Sequence, residues 1–374
     1  MRKPIFAVLA GLTVAATAYC SSADLYVQDN LTSDLAGVAA NQDPNLVNPW
    51  GLAAGPGSPF WVSDNGTGLS TIYDGTGKPF SLVVTIPPAG SGAPTGIVFN
   101  STSGYNGSHF IFDTENGTIA SWASGTNAVL NVTSPMGSVY KGLALGNNGL
   151  LYAANFGLGR VDVFNSNFQQ TTVSGGFKDN TLPAGYAPFD VKSVGGLLYV
   201  TYALQDAKHH DDVSGPGHGF IDVFDTNGVL QQRLVSHGAL NSPWGMAIAP
   251  STFGAFSNDL LVGNFGDGKI NAFNPTTGAF LGTLDGGNGS PIVIQGLWGL
   301  SFGNGAFGQN LDSLYFTAGI PGMDNIEDHG LFGSITAAPE PAPVFSVGIA
   351  GLALLVVSVA RRTRRSRAGA GELA

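Results

Sequence analysis

Trp50-Gly51-Leu52-Ala53 is the first of six short apolar segments that recur along this chain of 374 residues. The other five are Thr95-Gly96-Ile97-Val98-Phe99, Lys141-Gly142-Leu143-Ala144, Phe189-Asp190-Val191, Trp244-Gly245-Met246-Ala247 and Trp298-Gly299-Leu300-Ser301-Phe302. Measured between the glycines, with Asp190 in the fourth segment, the steps are 45, 46, 48, 55 and 54 residues. Repeats of this length are typical of β-propeller blades. The spacing therefore predicts an all-β fold, a six-bladed β-propeller.

Each repeat continues with a pair of strands separated by a glycine-bearing turn, most clearly from Leu150 to Phe164. Short β-branched and aromatic runs punctuated by Gly, Asn and Asp are typical of antiparallel hairpins. This construction resembles the NHL-repeat propellers and, more loosely, the gluconolactonase and regucalcin-like propellers, from about Asn48 to Ile335. The resemblance concerns how the blades are built, since propellers carry many unrelated activities.

Closing the ring requires a strand that completes the last blade, because an open last blade would expose an unpaired strand edge. The sixth repeat is one strand short before the Pro-rich segment that starts at Ala337. Leu25 to Leu31 alternates apolar and polar residues and precedes the first blade. We expect this segment to supply the missing strand, so that residues 24–336 form one closed propeller.

The N-terminus has the three-part pattern of a secretory signal peptide, which predicts that residues 1–23 are removed. Arg2 and Lys3 precede an apolar run, and small residues end at Ala23. Cys20 is the only cysteine in the chain, so cleavage after Ala23 would leave neither a disulfide nor a thiol site. A lipoprotein anchored through Cys20 is the alternative, although Tyr19 stands where a small residue would be expected.

The C-terminus carries a short linker, an apolar span and a basic tail. We assign these to residues 337–343, 344–360 and 361–374 respectively, the last rich in arginine. Pro339-Glu340-Pro341 followed by such a span and tail resembles a PEP-CTERM sorting signal. The resemblance implies an exosortase as partner, transient anchoring in the inner membrane by a transmembrane helix, and export to the surface of a Gram-negative bacterium. The alternative is a permanent single-span anchor.

Charge limits the classes of partner. The whole chain has a formal net charge of −10, and setting the two termini aside makes the remaining body more acidic still. An acidic surface disfavours nucleic acid and other polyanions, and it favours cations and neutral ligands. The sequence also contains no His-Glu-x-x-His and no phosphate-binding glycine loop of the Gly-x-x-x-x-Gly-Lys-Ser/Thr type.

The fourth repeat contains an insertion with clustered metal-ligand side chains. The candidate metal ligands are His209, His210, Asp211, Asp212 and His218. Imidazole and carboxylate groups in a bent loop could hold a divalent cation such as Ca²⁺, Zn²⁺ or Mn²⁺. The alternative is that these groups only cap turns. A loop of the sixth repeat contains Asp324, Glu327, Asp328 and His329, and it would join the insertion if both loops reach over the axis.

A second set of candidates follows the second strand of several repeats, where equivalent positions would form a ring. These candidate ligand-binding residues are Asp64, Asn65, Asp113, Asn155 and Asn264. They could bind a cation or sugar hydroxyls, or they could simply stabilise turns through their own backbone. In the lactonase-like propellers a Glu belongs to the central metal set, and Val47-Asn48-Pro49-Trp50 offers none.

Two hypotheses of function follow. The first is an exported, surface-associated propeller that binds an extracellular glycan such as an exopolysaccharide, a matrix component or a surface protein, without catalysis. The second is a divalent-metal-dependent hydrolase of the lactonase or esterase type. Trp50, Trp244 and Trp298 recur at one repeat position, which favours a packing role over a carbohydrate-stacking platform.

Overall fold

The computed structural model describes residues 25–322 and 327–338, and these residues form a six-bladed β-propeller. The strands before the first blade are β1 Tyr26–Ser33 and β2 Asn41–Gln42. Blade 1 consists of β3 Pro49–Ala53, β4 Phe60–Asp64, β5 Leu69–Tyr73 and β6 Val84–Thr85. Blade 2 consists of β7 Pro94–Phe99, β8 Phe110–Thr114, β9 Thr118–Trp122 and β10 Val129–Thr133.

The next blades repeat this order. Blade 3 consists of β11 Tyr140–Leu145, β12 Leu151–Asn155, β13 Arg160–Phe164 and β14 Gln170–Thr171. Blade 4 consists of β15 Tyr186–Val194, β16 Leu197–Leu204, β17 Phe220–Phe224 and β18 Leu230–Ser236. Blade 5 consists of β19 Pro243–Ile248, β20 Leu260–Asn264, β21 Ile270–Phe273 and β22 Phe280–Thr283, and blade 6 begins with β23 Leu297–Phe302, β24 Ser313–Ala318 and β25 Leu331–Ala337.

The N-terminal strand closes the ring, which confirms the sequence-based prediction. Strand β1 pairs antiparallel with β25, with Tyr26 opposite Ala337 and Ser33 opposite Leu331. The Tyr26 side chain is buried, and its hydroxyl donates a hydrogen bond of 3.1 Å to the carbonyl of Phe253 in blade 5. The first segment of the ring is thus fastened to both blade 6 and blade 5.

Each recurring segment forms the innermost strand of its blade and contains a β-bulge at the signature position. The pairing register shifts there in all six blades, for example between Pro49 and Leu52. Glycine is required because neighbouring blades approach closely at the axis. A Cβ on Gly51 would lie 2.4 Å from the Thr95 carbonyl oxygen, and one on Gly245 would lie 2.2 Å from that of Trp298.

The core is divided among the blade interfaces. Six hydrophobic clusters each join two neighbouring blades, and a seventh cluster of aromatic residues lies on the axis. In the cluster between blades 6 and 1, Phe60 packs against Tyr315 with ring centroids 4.6 Å apart. Each blade is therefore held by its two neighbours, which is what a ring of repeats requires.

No α-helix occurs in residues 25–322 and 327–338, where two 3₁₀ turns span Tyr105–Gly107 and Gly254–Phe256. A membrane-spanning helix is likewise missing from this described part of the chain. The predicted signal peptide (residues 1–23), transmembrane segment (344–360) and Arg-rich tail (361–374) lie outside the described residues, as does Pro339-Glu340-Pro341. Of the predicted linker, residues 337–343, Ala337 is the last residue of β25 and Ala338 is also described, and the rest lies outside the described residues.

Candidate functional site at the upper end of the propeller axis

One face of the propeller carries the starts of the innermost strands and the turns that join the second strand of each blade to the third. We call it the upper face. The pairing register places the two features together, since Pro49 lies opposite Asp64 in blade 1 and Tyr140 lies opposite Asn155 in blade 3. Six equivalent residues, one just before each signature position, stand at the starts of the innermost strands on this face, and Trp50, Phe189, Trp244 and Trp298 share one buried cluster. The six residues are Trp50, Thr95, Lys141, Phe189, Trp244 and Trp298.

The three tryptophans close the upper end of the axis by packing on one another. The ring centroids of Trp50 and Trp298 are 3.5 Å apart in a stacked arrangement, and Trp244 packs edge-on against both. All three side chains are buried. Their packing role is therefore as expected, but they pack at the axis itself and leave no exposed platform on which a sugar ring could stack.

Lys141 is the one charged residue in this ring of six, and it is almost completely buried. Its side chain is 2% exposed, with Nζ 2.5 Å from Glu115 Oε1 and 3.4 Å from Asp211 Oδ1. The same Nζ lies 4.9 Å from the centre of the Trp50 ring, within range of a cation–π interaction. Lys141 thus joins carboxylates from blades 2 and 4 above an aromatic floor.

Burial by itself lowers the pKa of Lys141, but the carboxylates around it outweigh that effect. Glu115, Asp211 and Glu327 all favour the charged form, so the net pKa of Lys141 is raised. Burial also works against the Asp211 carboxylate, yet the Lys141 ammonium and His210 lower its pKa overall. The cluster therefore favours the charged form of Lys141 and the ionised form of Asp211.

Glu115 is fixed from below by a chain of amide side chains. Asn65 Nδ2 donates a hydrogen bond of 2.9 Å to Glu115 Oε2, and Asn48 Nδ2 donates one of 3.4 Å to Asn65 Oδ1. Trp50 Nε1 in turn donates to Asn48 Oδ1 at 3.0 Å. This network ties the orientation of the Glu115 carboxylate to the buried aromatic floor.

The insertion of blade 4 is held in a defined turn over Lys141. The Asp206 carboxylate accepts hydrogen bonds from the backbone amides of Lys208 and His210, which also lowers the Asp206 pKa. His210 Nδ1 lies 2.9 Å from Asp211 Oδ1. The same segment therefore caps a turn and forms part of the site, because the capped turn places Asp211 next to Lys141.

Glu327, in the loop of blade 6, lies within electrostatic range of Asp211 and Asp212 in the insertion of blade 4. Burial raises the pKa of Glu327 to about 7, and the nearby carboxylates of Glu115, Asp211 and Asp212 add to this. His329 instead points to Asp34, with Nδ1 2.6 Å from Oδ2. Asp328 lies beside Gly322, and Asp324 is outside the described residues.

The other predicted metal ligands lie apart from the cluster or at its margin. His218 Nδ1 lies 2.8 Å from the Val213 carbonyl oxygen, and no contact of the His209 side chain brings it to Lys141. Asp212 accepts a hydrogen bond of 3.0 Å from Ser214, and burial raises its pKa. Of the predicted set, His210 and Asp211 are the two that the structure brings together.

Among the predicted ring residues, Asn65 reaches the cluster and the other four are buried structural groups. Asp113 Oδ1 accepts hydrogen bonds from Thr95 and from the Gly96 amide, and burial raises its pKa to about 7. Asn155 donates to Ser138 and Asp162, and Asn264 donates to the Ala239 carbonyl. Burial raises the pKa of Asp64 well above its ordinary value.

Glu115 and Lys141 were missed by the sequence analysis, although the repeats contain a signal for both. Lys141 occupies a position that the other repeats fill with Trp, Phe or Thr. Glu115 directly follows the second strand, as Asn65, Phe156 and Phe265 do in their blades. A comparison of equivalent positions across the six repeats would have marked both as unusual charged residues close to the axis.

Glu115, His210 and Asp211 each offer a ligand atom, and these atoms lie within 4.8 Å of one another. The donor set suits a borderline or hard divalent cation. Lys141 Nζ, however, already contacts both carboxylates. A divalent cation would therefore compete with the lysine ammonium for the same oxygens.

The fold and this cluster define the class: a six-bladed propeller with an ionisable site at one end of its axis. No family model matches the chain. Two proteins of Acanthamoeba polyphaga mimivirus are similar to it, both described as uncharacterized. Protein R648 is 34% identical over 327 residues, 82% of this chain and 78% of that protein, and protein L690 is 34% identical over 320 residues, 80% and 82% respectively.

The chain therefore belongs to the same protein family as mimivirus R648 and L690. The assignment to a bacterial PEP-CTERM family was wrong, because these relatives are viral proteins. Among solved structures, that of streptogramin B lyase aligns with 84% of this chain and 97% of its own, with 13% sequence identity and a TM-score of 0.46.

Proposed function

We propose that the protein is an exported, non-catalytic binding propeller that holds a neutral, hydroxyl-rich ligand, such as the end of a glycan, over the Glu115–Lys141–Asp211 cluster. One observation carries the proposal: Lys141 neutralises part of the cluster from within, while Asp211 remains 66% exposed and His210 45% exposed at the surface. The exposed groups can donate and accept hydrogen bonds without a metal ion.

The charge of the site favours a neutral ligand over an anionic one. Glu115 and Asp211 contribute two carboxylates against one ammonium, and Glu327 ionises as the pH rises through about 7. Sugar hydroxyls match carboxylate and imidazole groups as both donors and acceptors. The acidic body of the protein would also repel an anionic ligand, so a neutral exopolysaccharide fits better than a sulfated or uronic one.

Export is part of the proposal and is supported by the N-terminal pattern of basic, apolar and small residues. Outside the cell the absence of cysteines after residue 20 would leave the protein insensitive to the redox state of its surroundings. A propeller whose blades interlock through apolar clusters needs no disulfide to remain folded there.

The test is binding of the full chain to a printed array of neutral and anionic glycans. We expect retention on neutral glycans, and a loss of about tenfold in affinity for Asp211→Asn, since a hydrogen bond to a charged group is replaced by a neutral one. Asp29→Asn is the matched control, because Asp29 is exposed on β1, the strand that pairs with β25 in blade 6, and the cluster residues Glu115, Lys141 and Asp211 come from blades 2, 3 and 4. Equal binding by both variants, or binding to no glycan, would contradict the proposal.

A metal-dependent hydrolase is the second candidate, favoured by the mutual distances within Glu115, His210 and Asp211. These three residues would hold the ion, which would supply a Lewis acid or an activated water molecule. Elemental analysis of the purified chain after dialysis against Ca²⁺, Zn²⁺ and Mn²⁺ separates the two candidates. A stoichiometric ion that His210→Ala abolishes would support the hydrolase, and a melting temperature unaffected by chelation would support the metal-free site.

A further inference from the structure

The lower end of the axis, where the innermost strands end, opens into a cavity of about 330 Å³ that we call the lower funnel. Aliphatic side chains form much of its wall, with Leu52, Ile97 and Leu143 at the base. A volume of this size is at the small end of the range for small-molecule sites. Polar atoms share the wall surface with these aliphatic side chains, so the cavity suits a ligand that has both an apolar body and a polar group.

A single lysine lies in this wall. Lys192 is two residues beyond the signature position of blade 4, where the other blades have Ala53, Val98, Ala144, Ala247 and Ser301. Lys192 lines both the lower funnel and a smaller cavity of about 30 Å³ further along the axis. Its ammonium makes no hydrogen bond or ion pair with any residue in the part of the chain that the structure describes.

Asp190 interacts electrostatically with Lys192 but forms no salt bridge with it among the described residues. Asp190 lines the smaller cavity, and burial raises its pKa to about 8, so that this carboxyl is largely protonated at neutral pH. Burial lowers the pKa of Lys192, with Asp190 opposing the shift. A half-buried ammonium beside apolar side chains is costly unless an anion pairs with it.

We propose that the lower funnel binds a small carboxylate with an apolar body, whose carboxylate pairs with the Lys192 ammonium. The apolar body would cover Leu52, Ile97 and Leu143. The hydroxyl of Ser193, which also lines the funnel, can donate to the second carboxylate oxygen. The ligand class follows from three features together: the volume, the aliphatic wall and the unpaired cation.

The lower funnel is separate from the cluster on the upper face. The tryptophan packing closes the upper end, and the 30 Å³ cavity between the two ends has room for little more than a water molecule. The two sites therefore do not share a ligand, and failure of either proposal leaves the other standing.

Isothermal titration of the full chain with octanoate, 1-octanol and octylammonium tests the proposal. These ligands have the same chain and differ in the charge of the head group. We expect octanoate to bind at least about tenfold more tightly than 1-octanol, and octylammonium to bind least, because only the carboxylate pairs with the ammonium.

Lys192→Met retains much of the volume of the side chain and removes its charge. We expect this variant to lose about tenfold in octanoate affinity while its 1-octanol affinity stays the same. Lys78→Met, at an exposed turn, is the matched control and should bind octanoate as the unaltered chain does. The comparison of the three ligands on the unaltered chain remains decisive even if Lys192→Met does not fold. Equal affinity for octanoate and 1-octanol, or no octanoate binding at millimolar concentration, would overturn the proposal.

Discussion

Lys141 makes the upper end of the axis chemically different from the rest of the fold. Its ammonium is held by Glu115 and Asp211 at 2.5 and 3.4 Å and lies over the Trp50 ring. A buried charge of this kind is tolerated only with its partners in place. The same contacts that stabilise Lys141 also orient the carboxylates that face the solvent.

Replacing Lys141 with Met is expected to lower the free energy of unfolding by about 3 kcal/mol, because Glu115 is left largely buried without its counter-ion. Glu115→Gln in the same chain should restore much of the loss, since the uncompensated charge is then removed. Denaturant unfolding of the two single variants and the double variant measures the coupling between them. Additive losses in the double variant would show that Lys141 and Glu115 do not act as a pair.

Asp113 gives a pH dependence whose sign follows from its burial. Its pKa is about 7 in the folded chain, above the ordinary value of 3.8, so the unfolded chain releases this proton at lower pH. The protonated Asp113 carboxyl makes its full contribution to the free energy of unfolding below about pH 4, and this contribution is lost as the pH rises through 7. For this one group, the free energy of unfolding changes with pH by at most about 1.4 kcal/mol per pH unit.

Asp113→Asn retains the oxygen that accepts from Thr95 and from the Gly96 amide, and it removes the titration. We expect its stability, measured by denaturant unfolding from pH 4 to 8, to fall less with pH than that of the unaltered chain. Glu327 has a raised pKa of the same sign and remains in both chains. The Asp113 carboxylate also contributes to the raised pKa of Asp190, so the difference between the chains reports Asp113 together with its effect on Asp190. If the stability of Asp113→Asn and that of the unaltered chain changed with pH in parallel, the prediction for Asp113 would be wrong.

The bulged innermost strand is the element that links the repeat to the site. At five of the six bulges a glycine lets two blades approach, and the residue before it lies at the upper end of the innermost strand. Blade 4 differs, because Asp190 replaces the glycine and its side chain lines the axial cavity. The signature thus determines both how closely the blades pack and which side chains meet on the axis.

Gly245→Ala tests the close approach of blades 5 and 6. The added methyl group would lie 2.2 Å from the Trp298 carbonyl oxygen, a backbone atom that cannot move without shifting the blade. We expect a loss of about 2 kcal/mol in the free energy of unfolding, as for other overpacked positions. Gly287→Ala is the control, because no atom lies within 4 Å of its Cβ position, and its effect should be under about 0.5 kcal/mol.

The sequence was sufficient for the architecture and insufficient for the site, and the repeats explain both outcomes. Blade number and strand order follow from a local pattern that recurs six times, so each repeat supports the others. The cluster joins Glu115, Lys141 and Asp211, which come from three blades and form no local motif. His210 and Asp211 stood out by composition, but which neighbour they meet depends on the capped turn at Asp206.

Closure of the ring gives the molecule its cooperativity. Six interfacial clusters join the blades in a circle, and the interface between blades 5 and 6 includes Tyr26 from the N-terminal strand. Strand β1 pairs along most of its length with β25. Without β1, the edge of β25 would be exposed and the cluster between blades 5 and 6 would lose a large buried ring.

A chain that lacks residues 25–33 is therefore expected to unfold at a temperature lower by more than 10 °C, or to aggregate, because an exposed strand edge invites pairing between molecules. Differential scanning calorimetry with light scattering measures both effects. A synthetic peptide of residues 25–33 added in excess should restore part of the lost stability by occupying the vacant strand position, as in other cases of strand addition. A peptide of the same composition in scrambled order is the control, since it cannot reproduce the register from Tyr26 to Ser33. An unchanged melting temperature in the shortened chain would show that β1 is not needed to close the ring.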